Sequence, residues 1–477
     1  MSIAIVNNKT MTNFLRSLLI LICFSSCNSE KITEYDLIIT NATIVDVLGD
    51  SLSYSKLIAI SQDTIRLVDD MANLEKYQAK NKFDANNNFV MPGLWDNHVH
   101  FRGGDSLVEE NKNLLPLYLA YGITNVRDAG GDISRSVLNW KQQIAKKELN
   151  GPEILTSGPK LDGKEPAWPG SISLETKQDV KSALDSLENL EVDYVKMYDG
   201  SLTEEVFYEI IKQAEKRGLK TTGHMPLRAD ILTATDLGLD GTEHMYYVIK
   251  SCSPIADSIT KVKASYAMFP EIVESYDPKL ADKVFTKLAS QNAYITPTLY
   301  IGSVLSELAE IDHSSDSLLN YIGSGIQKTY KGRLDSAIRA KARGNTSRSQ
   351  LGKLAIDMIV PLNDSGVKLL ASSDSGAFNS FVYPGESLHL ELRDLVAAGL
   401  TPQQALTTSL INGPEFFDLG DSYGGIAENK IANLVVLGKN PLEDIKNLIN
   451  IKATIIRGKI YDKVMLDSML KEIKNKK

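Results

Sequence analysis

Cysteine is scarce in this 477-residue chain, with three copies, and histidine is nearly as rare, with six. Cys23 and Cys27 fall in an N-terminal segment and Cys252 stands alone, so a chain cut before Cys27 has no disulfide framework. Cys252 reads as an inert side chain. Clusters of Lys and Arg are also lacking; with a net charge of −8, that excludes an ordinary nucleic-acid binder. No apolar run reaches the roughly 20 residues that a membrane-spanning helix needs. Internal repeats and low-complexity tracts are absent as well. What remains is a globular composition, 43% hydrophobic and 23% charged, in a chain longer than one usual domain. A large domain with a smaller companion is the expectation.

The first 27 residues are set aside from the fold. Lys9 and Arg16 precede the apolar stretch Leu18–Phe24, which ends in Ser25-Ser26-Cys27. A basic region, a short apolar region and small residues before a cleavage point make an export signal. Phe24-Ser25-Ser26-Cys27 resembles a bacterial lipoprotein signal, although leucine is commoner at the position of Phe24. The resemblance implies an exported protein held on a cell-envelope membrane by a lipid on Cys27; an ordinary secretory signal is the alternative. Cleavage there removes Lys9 and Arg16 and no acidic residue, leaving the chain two charges more negative.

Both ends of the remaining chain are β-rich. Tyr35–Asp46 reads as strand, turn and strand, and Ala432–Leu437 and Ala453–Ile460 are short β-type runs bounded by Gly, Asn and Pro. Residues 28–88 and 425–477 are therefore expected to form one small β-sandwich domain. Between them, short apolar runs alternate with helical patterns. The runs are 89–100, 122–130, 153–158, 194–199, 220–225, 241–245, 293–299 and 367–376, and patterns such as 202–217 and 386–398 follow them. Alternating strands and helices imply βα units and a parallel sheet. Eight of them fit an α/β fold of the TIM type, a closed (β/α)8 barrel over 89–424 with its site at the C-terminal strand ends. Residues 246–292 and 300–366 are too long for plain loops and read as helical insertions over the barrel mouth, which would control access and substrate choice.

Four of the six histidines stand near those strand ends. His98 and His100 close the first run, and residues two apart on a strand share a face, so both can reach one metal ion. His224 lies in Thr-Thr-Gly-His-Met, His244 in Gly-Thr-Glu-His-Met, Lys196 in Tyr-Val-Lys-Met-Tyr and Asp374 in Ser-Ser-Asp-Ser-Gly. Alone, each has an ordinary explanation: a structural histidine, a paired lysine, a helix-capping aspartate. Together they occupy five strand ends in one compatible order, and imidazoles and carboxylates suit zinc and similar divalent ions. Tyr198 can project into the pocket two residues after Lys196. Arg127 and Asp128, at the second strand end, are candidates for holding substrate or the metal shell, or for structural pairing. His389 is expected to be structural or to support the ligands, and His313 to face solvent.

On His98-Val-His100, Gly122–Gly131, Val195–Tyr198, Gly241–His244, Thr296-Pro-Thr298 and Asp374, the chain resembles the metal-dependent amidohydrolase superfamily, in its prolidase-like and imidazolonepropionase-related branch. Ala398–Leu406 and Ile431–Pro441 extend the likeness, which covers nearly everything from residue 35 onward. Asn433 stands where an aspartate is usual and Leu410–Pro414 replaces a more alanine-rich helix; both lie away from the metal stations. The resemblance implies two divalent ions, with His98, His100 and Asp374 on one, His224 and His244 on the other, and a carbamylated Lys196 between them. An ammonium cannot ligate a cation, whereas a carbamate offers anionic oxygens. Single-metal deaminases of this fold typically carry a glutamate three residues after the fifth-strand histidine, where this chain has Leu227.

The chemistry expected of such a centre is attack by a metal-bridging hydroxide on an amide carbonyl, with Asp374 taking the proton and delivering it to the departing amine. Small substrates, dipeptides or N-acyl amino acids, fit this reading. A cyclic-amide or lactone hydrolase and an anchored binding protein without catalysis are the alternatives.

Overall fold

The computed structural model describes residues 33–476 together with Met1; the export segment and Cys27 lie outside the described residues. The first strands are β1 (Thr33–Asp46), β2 (Ser51–Ser61), β3 (Thr64–Asp70), β4 (Tyr77–Asp84) and β5 (Phe89–Pro92). The central strands follow: β6 (Leu94–His100), β7 (Ile123–Asp128), β8 (Glu153–Thr156), β9 (Leu161–Asp162), β10 (Ile172–Ser173), β11 (Val195–Met197), β12 (Thr221–Gly223), β13 (Gly241–Glu243), β14 (Tyr294–Thr296), β15 (Lys368–Leu369) and β16 (Ser375–Gly376). The chain closes with β17 (Leu434–Leu437), β18 (Ile451–Ile456) and β19 (Lys459–Asp462).

The two chain ends share one eight-stranded sheet, ordered β19-β18-β17-β5-β1-β2-β3 with β4 also paired to β1. Two packed sheets were expected; a single sheet is observed, because β1 is long enough to serve two neighbours. Its first half pairs with β4 and its second half with β5, and its register against β2 shifts near Ala42. Alternation then sends Leu37 and Ile39 to one apolar cluster and Ile38, between them, to another. The run 89–100 divides at Gly93: Phe89–Pro92 joins this sheet through β1 and β17, and Leu94–His100 starts the central strands. Asn433 is satisfied at that junction, donating to Asn125 (3.1 Å) and accepting from the Arg457 amide (2.8 Å).

Each of the eight predicted runs contains a strand, and the central strands pair in parallel. Their ladders form three segments, β16-β6-β7-β8, β10-β9-β11-β12 and β13-β14-β15. A continuous closed ring was expected. Strands of two to four residues are too short to carry ladders across every junction, and isolated bonds stand there instead. They run from the Asp193 amide to Thr156 O (2.9 Å), from Thr242 Oγ1 to Gly223 O (3.1 Å) and from the Asn97 amide to Ala371 O (3.2 Å).

Helices follow the strands where apolar spacing predicts them. Glu204–Glu215 buries Val206, Phe207, Ile210, Ile211 and Ala214 on one face and is capped by Thr203. Glu386–Ala397 covers the pattern at 386–398. The two long connections are helical: Tyr246–Ser251, Ala256–Val262, Phe269–Glu274 and Pro278–Ser290 in the first, and Leu299–Glu307, Ser324–Thr329, Lys331–Ala342, Ser347–Asp357 and Ile359–Asp364 in the second.

The strand ends are tightly built. Gly376 has φ +139°, and a Cβ there would meet His100 O at 2.2 Å and His100 Cβ at 3.0 Å. Gly376→Ala is therefore expected to lower stability by about 1–3 kcal/mol and to displace His100, read as a lower Tm than the wild type.

Candidate active site

His98 and His100 end β6 and, as their spacing requires, turn to one side: their Nε2 atoms are 3.2 Å apart. Asp374 Oδ1 lies 3.4 Å from His98 Nε2 and 3.0 Å from His100 Nε2, and its Oδ2 lies 3.9 Å from His244 Nε2. Both His244 and Asp374 hold left-handed backbone, with φ of 62° and 53°. Such conformations are costly outside glycine and cluster at functional sites. His98, His244 and Asp374 present ligand atoms all within 4.8 Å of one another. His224 stands alongside, its ring 4.9 Å from that of His244, but outside that group of mutually close donors.

The second nitrogen of each histidine decides what the first can do. His98 Nδ1 donates to Glu243 Oε2 at 2.6 Å, leaving Nε2 bare. Thr298 Oγ1 donates to Pro297 O (2.7 Å), so it accepts from His244 Nδ1 (2.6 Å), again leaving Nε2 bare. Burial, with the Arg102 charge next, holds His100 well below the usual imidazole range, and burial pushes His244 down to about 3. Neutral imidazoles with free Nε2 atoms are metal ligands. Burial would raise Asp374, but His98 and His100 hold its carboxyl well below the usual range. The donor set therefore fits a divalent ion.

Lys196 is buried under this group, 3.2 Å from Glu243 Oε1, and burial pushes its amine down to about 8. Glu243, absent from the residues expected at the site, is the hub beneath it. Its carboxylate meets His98, Lys196, Thr222 Oγ1 (3.0 Å) and Arg127 Nη2 (3.1 and 3.2 Å). Burial opposes its charge, yet Arg127, His98 and Lys196 hold it well below the usual range. A charged residue inside a wholly buried strand was the available signal. Arg127, expected to touch substrate or the metal shell, spends its guanidinium on Glu243, Asn97 O and Thr296 Oγ1 rather than on the cavity. Asp128 is likewise structural, accepting from Thr156 Oγ1 (2.7 Å) and the Phe101 amide (3.2 Å).

Tyr198 does line the cavity and stacks on His224, with centroids 4.5 Å apart. Asp199, the next residue, lies 3.2 Å from His224 Nδ1 without hydrogen-bond alignment and accepts from Tyr266 Oη at 2.7 Å. Asn379 was also missed: its Nδ2 donates to Asp374 Oδ1 at 2.8 Å, and its Oδ1 accepts from Arg102 and Arg333. His389 is structural, on Tyr121 O at 2.7 Å. His313 does not face solvent as expected; it stacks on Phe381 at 4.2 Å and pairs with Asp316. Cys252 is buried and its thiol is pushed up to about 12. Among the described residues, no helix is long and apolar enough to cross a membrane.

Beneath the insertion, both oxygens of the buried Glu391 accept the Leu299 and Tyr300 amides (3.0 and 2.7 Å), fixing the loop that carries Thr298.

The family model described as Amidohydrolase family matches residues 89–461. The chain therefore belongs to that family, the class of metal-dependent hydrolases acting on C–N bonds. An adenine deaminase from Clostridium acetobutylicum (strain ATCC 824) is 26% identical over 248 residues, covering 50% of this chain and 40% of that protein. The match thus spans two fifths of that relative's length. Among solved structures, a bottromycin amidohydrolase is similar with a TM-score of 0.72 at 17% identity, over 92% of this chain and 90% of that one. A Xaa-Pro dipeptidase with methionine bound in its active site gives 0.65 at 16% identity, over 89% and 99%. An A. niger ochratoxinase gives 0.64 at 17% identity, over 90% and 96%. At such identities these likenesses speak for the fold.

Removing one partner from a buried charge group leaves the others uncompensated. Glu243→Ala is expected to cost about 3–5 kcal/mol in urea unfolding and to weaken metal retention through a disoriented His98. Burial pushes Glu391 up to about 8, so the folded chain holds that proton more tightly than the unfolded chain does. Its stabilising contribution is present at acid pH and is lost as pH rises through that value. Melting temperatures from pH 5 to 9 should therefore fall more steeply for the wild type than for Glu391→Gln.

Proposed function

We propose that this protein is a binuclear metal-dependent hydrolase that cleaves amide bonds in small substrates such as dipeptides and N-acyl amino acids. The ligand atoms of His98, His244 and Asp374, all within 4.8 Å of one another, with His100 Nε2 3.0 Å from Asp374, carry the reading. His98, His100 and Asp374 would hold one ion, His224 and His244 the other, and Lys196, as a carbamate, would lie between them. A buried lysine with a depressed amine basicity supports that modification, since CO₂ adds to the neutral amine. Two divalent ions, zinc being the natural choice, supply Lewis-acid chemistry toward a water and a carbonyl when bound. The same reading takes the three strand segments as arcs of one (β/α)8 barrel over 89–424, with 28–88 and 425–477 forming the second domain. It also takes Cys27 as the lipidated terminus of an exported, membrane-anchored chain.

The residues of this chain divide the remaining work. Asp374 Oδ1 is committed to His100 and Asn379, which leaves Oδ2 to take the proton of the attacking water and return it to the leaving amine. Glu243 and Thr298 hold His98 and His244 in the tautomer that frees Nε2. Tyr198, stacked on His224, walls the cavity on the substrate side.

The similarity to an adenine deaminase favours a second reading, deamination. Against it, Leu227 is apolar and buried where a proton-carrying glutamate would stand. Metal analysis of the purified chain should find close to two divalent ions, and a chelator should abolish turnover of a dipeptide and N-acyl amino acid panel that includes adenine. Asp374→Asn should retain metal and lower kcat by about 10²–10⁴-fold. Near-wild-type turnover in that variant would remove Asp374 from its role, and turnover of adenine alone would select the deaminase reading. Bound metal without turnover of any of them would favour a binding protein.

A further inference from the structure

The cavity that ends on His224, His244 and Asp374 has a volume of about 410 Å³. It does not stop at the strand ends. An outer groove of about 840 Å³, lined by segments of both insertions, shares Tyr246, Tyr266, Leu305 and Leu351 with it. The two spaces are therefore walled by the same side chains where they meet, and no step of the hydrolysis above uses the outer one.

One wall of the groove is aromatic. The Tyr246 ring lies 5.8 Å from that of His244, 5.1 Å from Tyr266 and 5.4 Å from Phe269. These rings form a track that leads outward from a histidine of the candidate metal site. The facing wall is aliphatic and small. Leu305 comes from Leu299–Glu307, Leu351 from Ser347–Asp357, and Ala337 and Ala340 from Lys331–Ala342. Ala337 and Ala340 are three apart and share a helix face, whereas the bulkier Ile338 points to solvent, 51% exposed.

The charged groups around the groove are engaged elsewhere. Lys341 pairs with Glu310, the Arg333 guanidinium donates to Asn379 Oδ1 at 2.7 Å, and Arg348 is exposed. What faces the space is apolar and incompletely covered: Tyr246, Leu305, Ala337, Ala340 and Leu351 are half-buried, and Tyr266 is exposed. The helix Lys331–Ala342 buries none of its residues. Apolar surface held open in this way is unfavourable in water and gains from an apolar occupant.

Continuity with the reacting centre identifies that occupant as part of the substrate. The inner cavity falls within the roughly 300–1,000 Å³ of ordinary ligand sites, enough for an amide and its near neighbours. The side chains of a dipeptide end a few bonds from its amide and would leave the outer groove unfilled. An acyl chain runs on in one direction, and can pass Tyr246 and Leu305 to follow the aromatic track outward.

We propose that the groove between the two insertions binds the acyl chain of the substrate, and that the enzyme acts on N-acyl amino acids whose acyl chain is long and apolar. For its reaction this rests on the hydrolase reading above; for binding it stands on the groove alone. Hydrolysis adds one water across the C–N bond, the hydroxyl to the acyl carbon and the proton to the amine, and releases a fatty acid and an amino acid. The groove residues determine specificity and take no part in proton transfer.

The test compares N-acetyl-, N-octanoyl- and N-decanoyl-L-leucine on the metal-loaded full chain, below the concentrations at which they form micelles. Burial of the added methylenes should raise kcat/KM at least about tenfold from acetyl to octanoyl, mainly through KM. Ala340→Trp, which fills the groove, and Ala337→Glu, which charges it, should each erase most of that rise. Calorimetric titration with the same compounds reads binding without turnover. Binding that tightens with chain length and is lost in the variants, with no hydrolysis of any compound, would keep the groove and sink the hydrolase reading. Binding or turnover that is indifferent to chain length overturns the groove. So does a rise that both variants leave unchanged, or binding of none of the three compounds.

Discussion

A buried carboxylate holds the two halves of the site in one geometry. Glu243 closes a strand with no exposure to solvent, and its oxygens are shared by an imidazole, a guanidinium and a hydroxyl, with the Lys196 amine beside them, from four other strands. Carrying an anion out of water is costly unless its partners replace the lost hydration. Here they do so from β6, β7, β11 and β12, so the favourable state exists only when those strands stand in one arrangement. That arrangement brings His98 Nε2 to Asp374 and sets Lys196 beneath them. Chemistry at the strand ends thus depends on a network one layer below, and the ligands inherit their orientation from it.

Much of this was legible in the sequence. Short apolar runs at regular intervals announce buried parallel strands, and histidines two apart on a strand must share a face. Those two rules place His98 and His100 on one face and His244 and Asp374 at strand ends. What escaped did so for physical reasons. Glu243 sits next to His244 in a motif read for its histidine, and its partners lie far away in sequence, so only the fold shows what it holds. Asn379 and Arg333 belong to a loop and an insertion, where residue spacing carries no periodic signal. Arg127 looked like a binding residue because a charged side chain at a strand end is conspicuous; Glu243 below had already claimed it.

The terminal sheet was misread in its layering for a similar reason. Alternation along a strand tells which residues share a face, but not how many strands line up beside it. β1 divides its length between β4 and β5, and β5 in turn joins β17, so strands from both chain ends align in one sheet. Gly93 alone separates β5 from β6, which ties that sheet directly to the strand that carries His98 and His100.

The helix that supplies Arg333 buries none of its residues, and the one that supplies Arg348 buries only Leu354 and Ala355. The hydrophobic core therefore has little stake in either segment, while the strand ends are fixed by it. The insertion over the cavity and the strand ends below it are in this way uncoupled in the molecule's energetics. Rewriting the exposed parts of the insertion would alter the outer lining of the cavity at little cost in folding, and the histidine and aspartate cluster below would be left as it was.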